Sequence, residues 1–297
     1  MPSTLKYRSV LCVGVALTCA VSASAAVVVT QIEDRSFWAL WLYSDWIQQN
    51  IAREQVMEDH DTFAVEVFDE ASLDGADIVY VSPAIGELQI TTAEIDALEA
   101  FVVGGGRLIL PVDNGSKWVE EYVELAARFG VTYGDHYING IIDGHVQDFD
   151  NPITEGPAGT VHGFTGASVN DNLSSTNEDF RVLALWDDGP AALGFLELGA
   201  GQVVFLADFN TWDNDMIEDA SNQTLWTNLF EYSRPGCEGD ANGDGLVDPL
   251  DSGYVLARFG CPVGTGDDDC DTADQNGDGL VDPLDVGFIL ARFGPCP

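Results

Sequence analysis

The sequence predicts an α/β domain built on a parallel sheet, followed by a small all-α unit carrying two calcium loops. Three observations carry this reading. Strand-like and helix-like segments alternate through residues 26–234. Two near-copies of one acidic loop, 34 residues apart, close the chain. The four cysteines beyond residue 25 all flank those loops. Alternating strands and helices imply a parallel sheet with helices on both faces. Oxygen side chains repeated at alternate loop positions imply a hard cation.

Residues 1–25 read as a secretory signal: Lys6 and Arg8 at the start, then an apolar run over residues 9–21, then Ala23-Ser24-Ala25. The run is too short for a bilayer, which needs about 20 residues. The expected location is secreted, either extracellular or at the cell surface. Residues 27–32 form a buried strand and residues 44–57 a helix with Trp46, Ile47, Ile51 and Val56 near one face. Residues 63–68 alternate, and residues 77–81 are a continuous apolar run. Thr92 caps a helix through Val103, with Glu94 early and Gly104-Gly105-Gly106 ending it. Residues 108–112 are a strand and residues 117–129 a helix. Strand-like runs follow at 160–164, 181–186, 191–198 and 202–207, then a last helix at 222–232. Ser233-Arg234-Pro235-Gly236 marks a boundary, giving domains 26–234 and 235–297.

The formal net charge is −39. Removing residues 1–25 takes away Lys6 and Arg8 and no acid, leaving −41. Nucleic acid and anionic membrane surfaces are therefore poor partners.

The two copies read GDANGDGLVDPLDSGYVLARFG from Gly239 and ADQNGDGLVDPLDVGFILARFG from Ala273, identical at 17 of 22 positions. Asp240, Asn242, Asp244, Asp248 and Asp251 fall at loop positions 1, 3, 5, 9 and 12. Gly245 takes position 6, where the chain turns sharply, and Leu246 offers a backbone carbonyl at position 7. Asp274, Asn276, Asp278, Leu280, Asp282 and Asp285 repeat the set. The bland alternative is an acidic surface turn. Apolar residues at helical spacing follow each loop, ending at Gly260 and Gly294, whereas RPGCEG and GDDDCDTA before the loops are not helical.

A loop plus exiting helix, twice over from Cys237 to Pro297, resembles a type I dockerin. The resemblance implies two calcium ions, antiparallel exit helices and a cohesin-like partner. The family's partner-reading positions fall on Pro249, Leu250, Leu256 and Ala257, and on Pro283, Leu284, Leu290 and Ala291. Cellulosomal dockerins often carry small hydroxyl residues at the first two of these positions, and here Pro-Leu stands instead. Both copies are equivalent, so either face suits docking; equally, Leu250 and Leu284 suit a small core. Three disulfide pairings are open. Antiparallel exit helices favour Cys237–Cys296 with Cys261–Cys270, and a zinc site lacks the usual Cys-x-x-Cys pairs.

LDGADIVYVSP, ITTAEIDALEAFVVGGGRLIL, NPITEG and GAGQVVFLADFNTW resemble class I glutamine-amidotransferase-like, flavodoxin-like domains. Catalysis in that family needs a cysteine on a strand-to-helix turn. Here the matching turn reads Pro111-Val112-Asp113-Asn114-Gly115-Ser116, and no cysteine occurs in residues 26–234. Asp113 and Asp208, at carboxyl ends of strands, are the candidates for cation, sugar or acid–base work, with turn-capping as the alternative. Ser116 with His136, His145 or His162 is a weaker set. Asp213, Asp215, Glu218 and Asp219 read as a solvated face. Trp212, in a polar loop, is the candidate for sugar stacking.

Three functions compete: a dockerin attaching a non-catalytic α/β module to an extracellular assembly, a polysaccharide hydrolase targeted by the same dockerin, and a structural protein with a calcium-stabilised tail.

Overall fold

The computed structural model describes residues 26–31, 56–57, 60–81, 90–113, 123–134, 136–187, 189–213, 215–232, 239–242, 246–264 and 268–295. Residues 1–25, expected as a signal, most of residues 44–57, expected as a helix, residues 114–122, Asp244, Cys237 and Cys296 lie outside them.

One nine-stranded sheet organises the larger part. Its strands are β1 (Val27–Gln31), β2 (Asp61–Val65), β3 (Ile78–Tyr80), β4 (Arg107–Pro111), β5 (Tyr137–Val146), β6 (Gly163–Asn170), β7 (Arg181–Trp186), β8 (Ala191–Leu198) and β9 (Gly201–Leu206). Their spatial order is β2-β1-β3-β4-β9-β8-β7-β5-β6. The first five run parallel and the other neighbouring pairs are antiparallel. The fold is therefore mixed α/β, and the all-parallel expectation holds for only half the sheet. Short connections explain the change: β8 and β9 are joined through Gly199, which turns at φ +63, and so tight a hairpin can only join antiparallel strands.

The strand β5 had no counterpart in the sequence reading. Asn139-Gly140 and Asp143-Gly144 give it turn composition, yet a bulge between Ile138 and Ile141, with Gly140 at φ +109, carries the irregularity within the strand. The antiparallel half then curls back on itself. The amide of Asn170, at the end of β6, donates to the Ala207 carbonyl just past β9 at 2.8 Å.

Helices flank both faces. Helix α1 (Thr92–Val103) is capped by Thr91, one residue earlier than expected. Thr91 Oγ1 accepts the Glu94 amide at 3.3 Å while Glu94 Oε2 accepts the Thr91 amide at 2.9 Å. Helix α2 (Val123–Arg128) leads to Phe129, whose ring meets Phe205 of β9 at 6.3 Å. Helix α3 (Asn222–Phe230) covers the opposite face, where Arg107 and its register partner Gln202 point. The buried core runs through the strands and α1 to α3.

The tail has its own small apolar cluster of Ala241, Val247, Val255, Ala273, Val281 and Ile289. Val247 and Val281, like Val255 and Ile289, are equivalent positions of the two copies. Helix α4 (Pro249–Leu256) packs on α6 (Pro283–Leu290). Between them lies α5 (Asp268–Ala273), which corrects the expectation that no helix precedes the second loop. Cys270 and Ala273 anchor it inward. The two copies also exchange strand-like pairs. β10 (Leu246–Val247) pairs with β11 (Gly294–Pro295) beyond the second helix, while Leu280 bridges Pro262 beyond the first. Cys261 and Cys270 form a disulfide, with Cα atoms 5.6 Å apart. Among the described residues, no helix is long and apolar enough to cross a membrane.

Candidate functional site

The loop residues follow one hydrogen-bonding scheme in both copies. Asp251 Oδ1 accepts the Asn242 amide at 3.1 Å and its Oδ2 accepts the Asp248 amide at 2.7 Å. Asp285 does the same with Asn276 at 3.0 Å and Asp282 at 2.8 Å. Asp248 and Asp282 are the caps of α4 and α6, accepting the amides of Leu250 and Leu284. Each helix thus starts at loop position 10, which brings the short Asp at position 12 into its first turn. Asp251 and Asp285 are both fully buried. In the second loop, Gly279 at φ +88 makes the sharp turn expected of position 6. Its amide donates to Asp274 Oδ2 at 2.8 Å, and Asn276 Oδ1 accepts the Asp278 amide at 2.9 Å.

The donor chemistry fits a hard cation, because the Asp and Asn side chains of the set offer oxygen and the Leu positions offer backbone carbonyls, while the buried carboxylates of Asp251 and Asp285 accept backbone N–H groups. Among the described residues, however, no group of three or more His, Cys, Asp or Glu side chains converges tightly enough to hold a metal ion. The loop carboxylates are directed at loop amides. Asp244 and the side chain of Leu246 are outside the description, so the first loop is seen only through Asp240, Asn242, Asp248 and Asp251.

The eight positions expected to read a partner are all exposed. Leu250 and Leu284 are 65% and 64% exposed, and Leu256 and Leu290 are 54% and 56% exposed. The alternative in which Leu250 and Leu284 fill the core is excluded by this placement. Phe259 and Phe293, at equivalent positions of the two copies, are exposed as well. The Arg258 guanidinium lies 3.4 Å over the Tyr254 ring, and Arg292 lies 3.4 Å over Phe288.

In the larger part, the structure brings Asp113 and Asp208 together at the carboxyl ends of adjacent strands β4 and β9. Asp208 is fully buried and Asp113 nearly so. Asp208 Oδ2 accepts the Ala167 amide at 2.8 Å and its Oδ1 accepts the Asn210 amide at 3.1 Å. Burial pushes the Asp208 carboxyl well above the usual carboxylate range; the two amides pull it back in part, and the charges of Asp113 and Asp213 push it further up.

The remaining candidates separate. Ser116 lies outside the described residues. His145 Nε2 pairs with Asp187 Oδ1 at 2.5 Å on an exposed surface, and His136 and His162 flank β5 and β6. Asp215, Glu218 and Asp219 are exposed. Trp212 is fully buried, with its ring 4.6 Å from that of Trp226, so it offers no stacking platform. The turn of Asn210–Trp212 tucks this residue inward from an otherwise polar loop. Sequence reasoning placed a strand-like run at 160–164 and missed the stretch of β6 around Gly166 and Ala167 that supports Asp208. A Cβ added at Gly166 would come within 2.6 Å of Asp208 Oδ2; the two glycines of this strand, Gly163 and Gly166, were the signal in the sequence.

No curated protein matches the chain in sequence. Among solved structures, the mmIFT52 N-terminal domain is similar at a TM-score of 0.55 and 11% identity, covering 69% of this chain and 96% of that one. A cytoplasmic protein from Salmonella typhimurium is similar at a TM-score of 0.47 and 15% identity, covering 71% of this chain and 100% of that one. The first likeness shows the mixed α/β fold and nothing more. Residues 52–230 match the family described as a domain of unknown function, DUF4350, which is more than half of the chain, and the chain belongs to that family.

Proposed function

We propose that this is an exported calcium-binding protein whose C-terminal part is a type I dockerin. On this reading it attaches a non-catalytic, amidotransferase-like α/β domain to an extracellular or cell-surface assembly of the cohesin type, linked to polysaccharide breakdown. The observation that carries the proposal is the equivalence of the two copies. Each has the same acidic loop, the same buried position-12 aspartate and the same exposed Pro-Leu and Leu-Ala positions on its exit helix. A solvated acidic turn has no need of two buried carboxylates, and a purely structural tail has no need of large apolar residues exposed at the same positions of both copies.

The flavodoxin-like assignment of the larger domain is supported by its parallel half, whose order β2-β1-β3-β4-β9 is the 2-1-3-4-5 order of doubly wound sheets. The non-catalytic reading rests on the missing cysteine.

Asp240, Asn242, Asp244, Asp248 and Asp251, with the Leu246 carbonyl, would hold one ion. Asp274, Asn276, Asp278, Asp282 and Asp285, with the Leu280 carbonyl, would hold the other. Calcium titrated into residues 26–297, followed by calorimetry and circular dichroism, is expected to show two ions and a gain of helix. Extracellular modules bind at about 10⁻⁴–10⁻³ M, so no binding at millimolar calcium overturns the reading.

A further inference from the structure

We propose that the Cys261–Cys270 disulfide is a positioning strut for the second acidic loop. It presets residues 274–285 for their cation and leaves the first loop to be ordered by its own ion. The inference rests on the calcium reading and deepens it by making the two sites unequal. The bond joins the two segments that hold the second loop. Cys270 lies in α5, whose last residue, Ala273, precedes the first ligand position, Asp274. Cys261 lies between Gly260, whose amide donates to the Val281 carbonyl at 2.9 Å, and Pro262, which bridges Leu280. One half of the disulfide therefore fixes loop position 1. The other half fixes positions 7 and 8, and position 7 is the one that offers its backbone carbonyl.

Both anchors are seated in the tail. Cys270 and Ala273 are 1% and 0% exposed, and Cys261 packs against the apolar cluster that holds Ala273 and Val281. The Gly264 amide donates to Asp271 Oδ1 at 2.5 Å, a second tie across the closed segment. Gln275 Nε2 donates to the Thr272 carbonyl at 2.7 Å and carries the end of α5 into loop position 2. From there Asp274 accepts the amides of Asp278 and Gly279 at 3.2 and 2.8 Å. A fixed position 1 thus orders the sharp turn at position 6.

The first loop has no such bond at the same place in the repeat. The residues equivalent to Cys261 and Cys270 are Pro295 and Gly236. Its positions 7 and 8, Leu246 and Val247, pair with Pro295 and Gly294, neither of which can be cross-linked.

The consequence is a difference in affinity. A loop that is competent for only a fraction of the time binds with its dissociation constant raised by the inverse of that fraction. Cross-linking a segment of this length restricts the disordered tail by up to about a hundredfold. That restriction is carried by the covalent bond before the ion arrives, and it acts on the second loop.

The experiment is calorimetric titration of calcium into residues 26–297, as the unsubstituted chain and as Cys261→Ser with Cys270→Ser. Asp251→Asn or Asp285→Asn is added to assign each event to its loop. The serine pair is expected to raise the dissociation constant of the second loop by about 10–100-fold, and that of the first by less than about threefold. Equal weakening of both events, or of neither, overturns the strut. Amide exchange in chelator needs neither the serine pair nor calcium. Asn242 and Asp248 donate to Asp251 as Asn276 and Asp282 donate to Asp285, so the four amides form two matched pairs. In the unsubstituted chain, corrected for intrinsic rates, the second pair is expected to exchange at least about tenfold more slowly than the first. Equal or reversed rates overturn the presetting, whether or not the serine pair folds. No calcium binding by the unsubstituted chain at millimolar calcium overturns the calcium reading instead, and the exchange contrast alone then decides whether the bond orders the second loop.

Discussion

Arg107 and Gln202 stand opposite one another on β4 and β9, and both Nε and Nη2 of the arginine donate to Gln202 Oε1, at 3.1 and 2.8 Å. Nη1 reaches the carbonyls of Asn228 and Leu229 at 2.9 Å each, closing the end of α3. The Tyr232 ring lies 4.1 Å from the guanidinium, and the Tyr232 hydroxyl donates to the Gly105 carbonyl. Burial pushes the arginine down to about 9, partly countered by Tyr232. Replacing Gln202 with Leu removes the side-chain acceptor of this buried charge. The expected loss is about 2–3 kcal/mol, read by urea unfolding. Arg107→Met combined with Gln202→Leu is expected to cost less than the sum of the two single changes.

Calcium removal is expected to act on the tail. If each ion binds the folded form alone, calcium at 100 times its dissociation constant adds about 2.7 kcal/mol. Asp285→Asn and Asp251→Asn are each expected to abolish one of two binding events in calorimetry. Loss of both events from either single change would mean that the two loops fold as one unit.

The exposed leucines give a different pattern. Leu250→Ser with Leu284→Ser touches no core, so tail stability is expected to change by less than about 0.5 kcal/mol. Binding to a cohesin-type domain, measured by surface plasmon resonance, is expected to fall at least tenfold, with either single change tolerated because the copies are equivalent. A large loss of thermal stability in the double variant would return these leucines to a structural role.

The disulfide closes a loop of sequence separation 9. Cys261→Ser with Cys270→Ser is expected to cost the calcium-free tail about 2–3 kcal/mol by the loop-entropy relation. Differential scanning calorimetry in chelator would show it as a lower transition for the tail.

Gly166→Ala tests the close approach under Asp208. The added methyl would lie 2.6 Å from Asp208 Oδ2 and 2.8 Å from Trp186 Cη2. Overpacking of this kind costs about 1–3 kcal/mol, read by urea unfolding. Gly140→Ala, in the open bulge of β5, is the control for strain from positive φ alone, since nothing lies within 4 Å of a Cβ added there.

Much of this molecule is legible along the chain because its signals are local. Strand runs at 181–186 and 191–198 coincide with β7 and β8, since period and bounding turns act over a few residues. The acidic-loop pattern is equally local: oxygen-bearing side chains at fixed intervals, repeated. The direction of β8, the curl that returns Asn170 to Ala207 and the strand status of β5 were not legible, because they depend on pairing between distant segments and on a bulge that absorbs turn-like residues. Leu250 and Leu284 show the same limit. Their apolar character is plain in sequence, but their exposure follows from the packing of α4 on α6, which turns Val255 and Ile289 inward instead. Asp113 and Asp208 lie 95 residues apart in the chain. Each could be placed at a strand end from local pattern, yet their shared burial exists only because β4 and β9 are neighbours in the sheet. Local spacing encodes what a segment can bind; long-range pairing sets which groups must share one dry space.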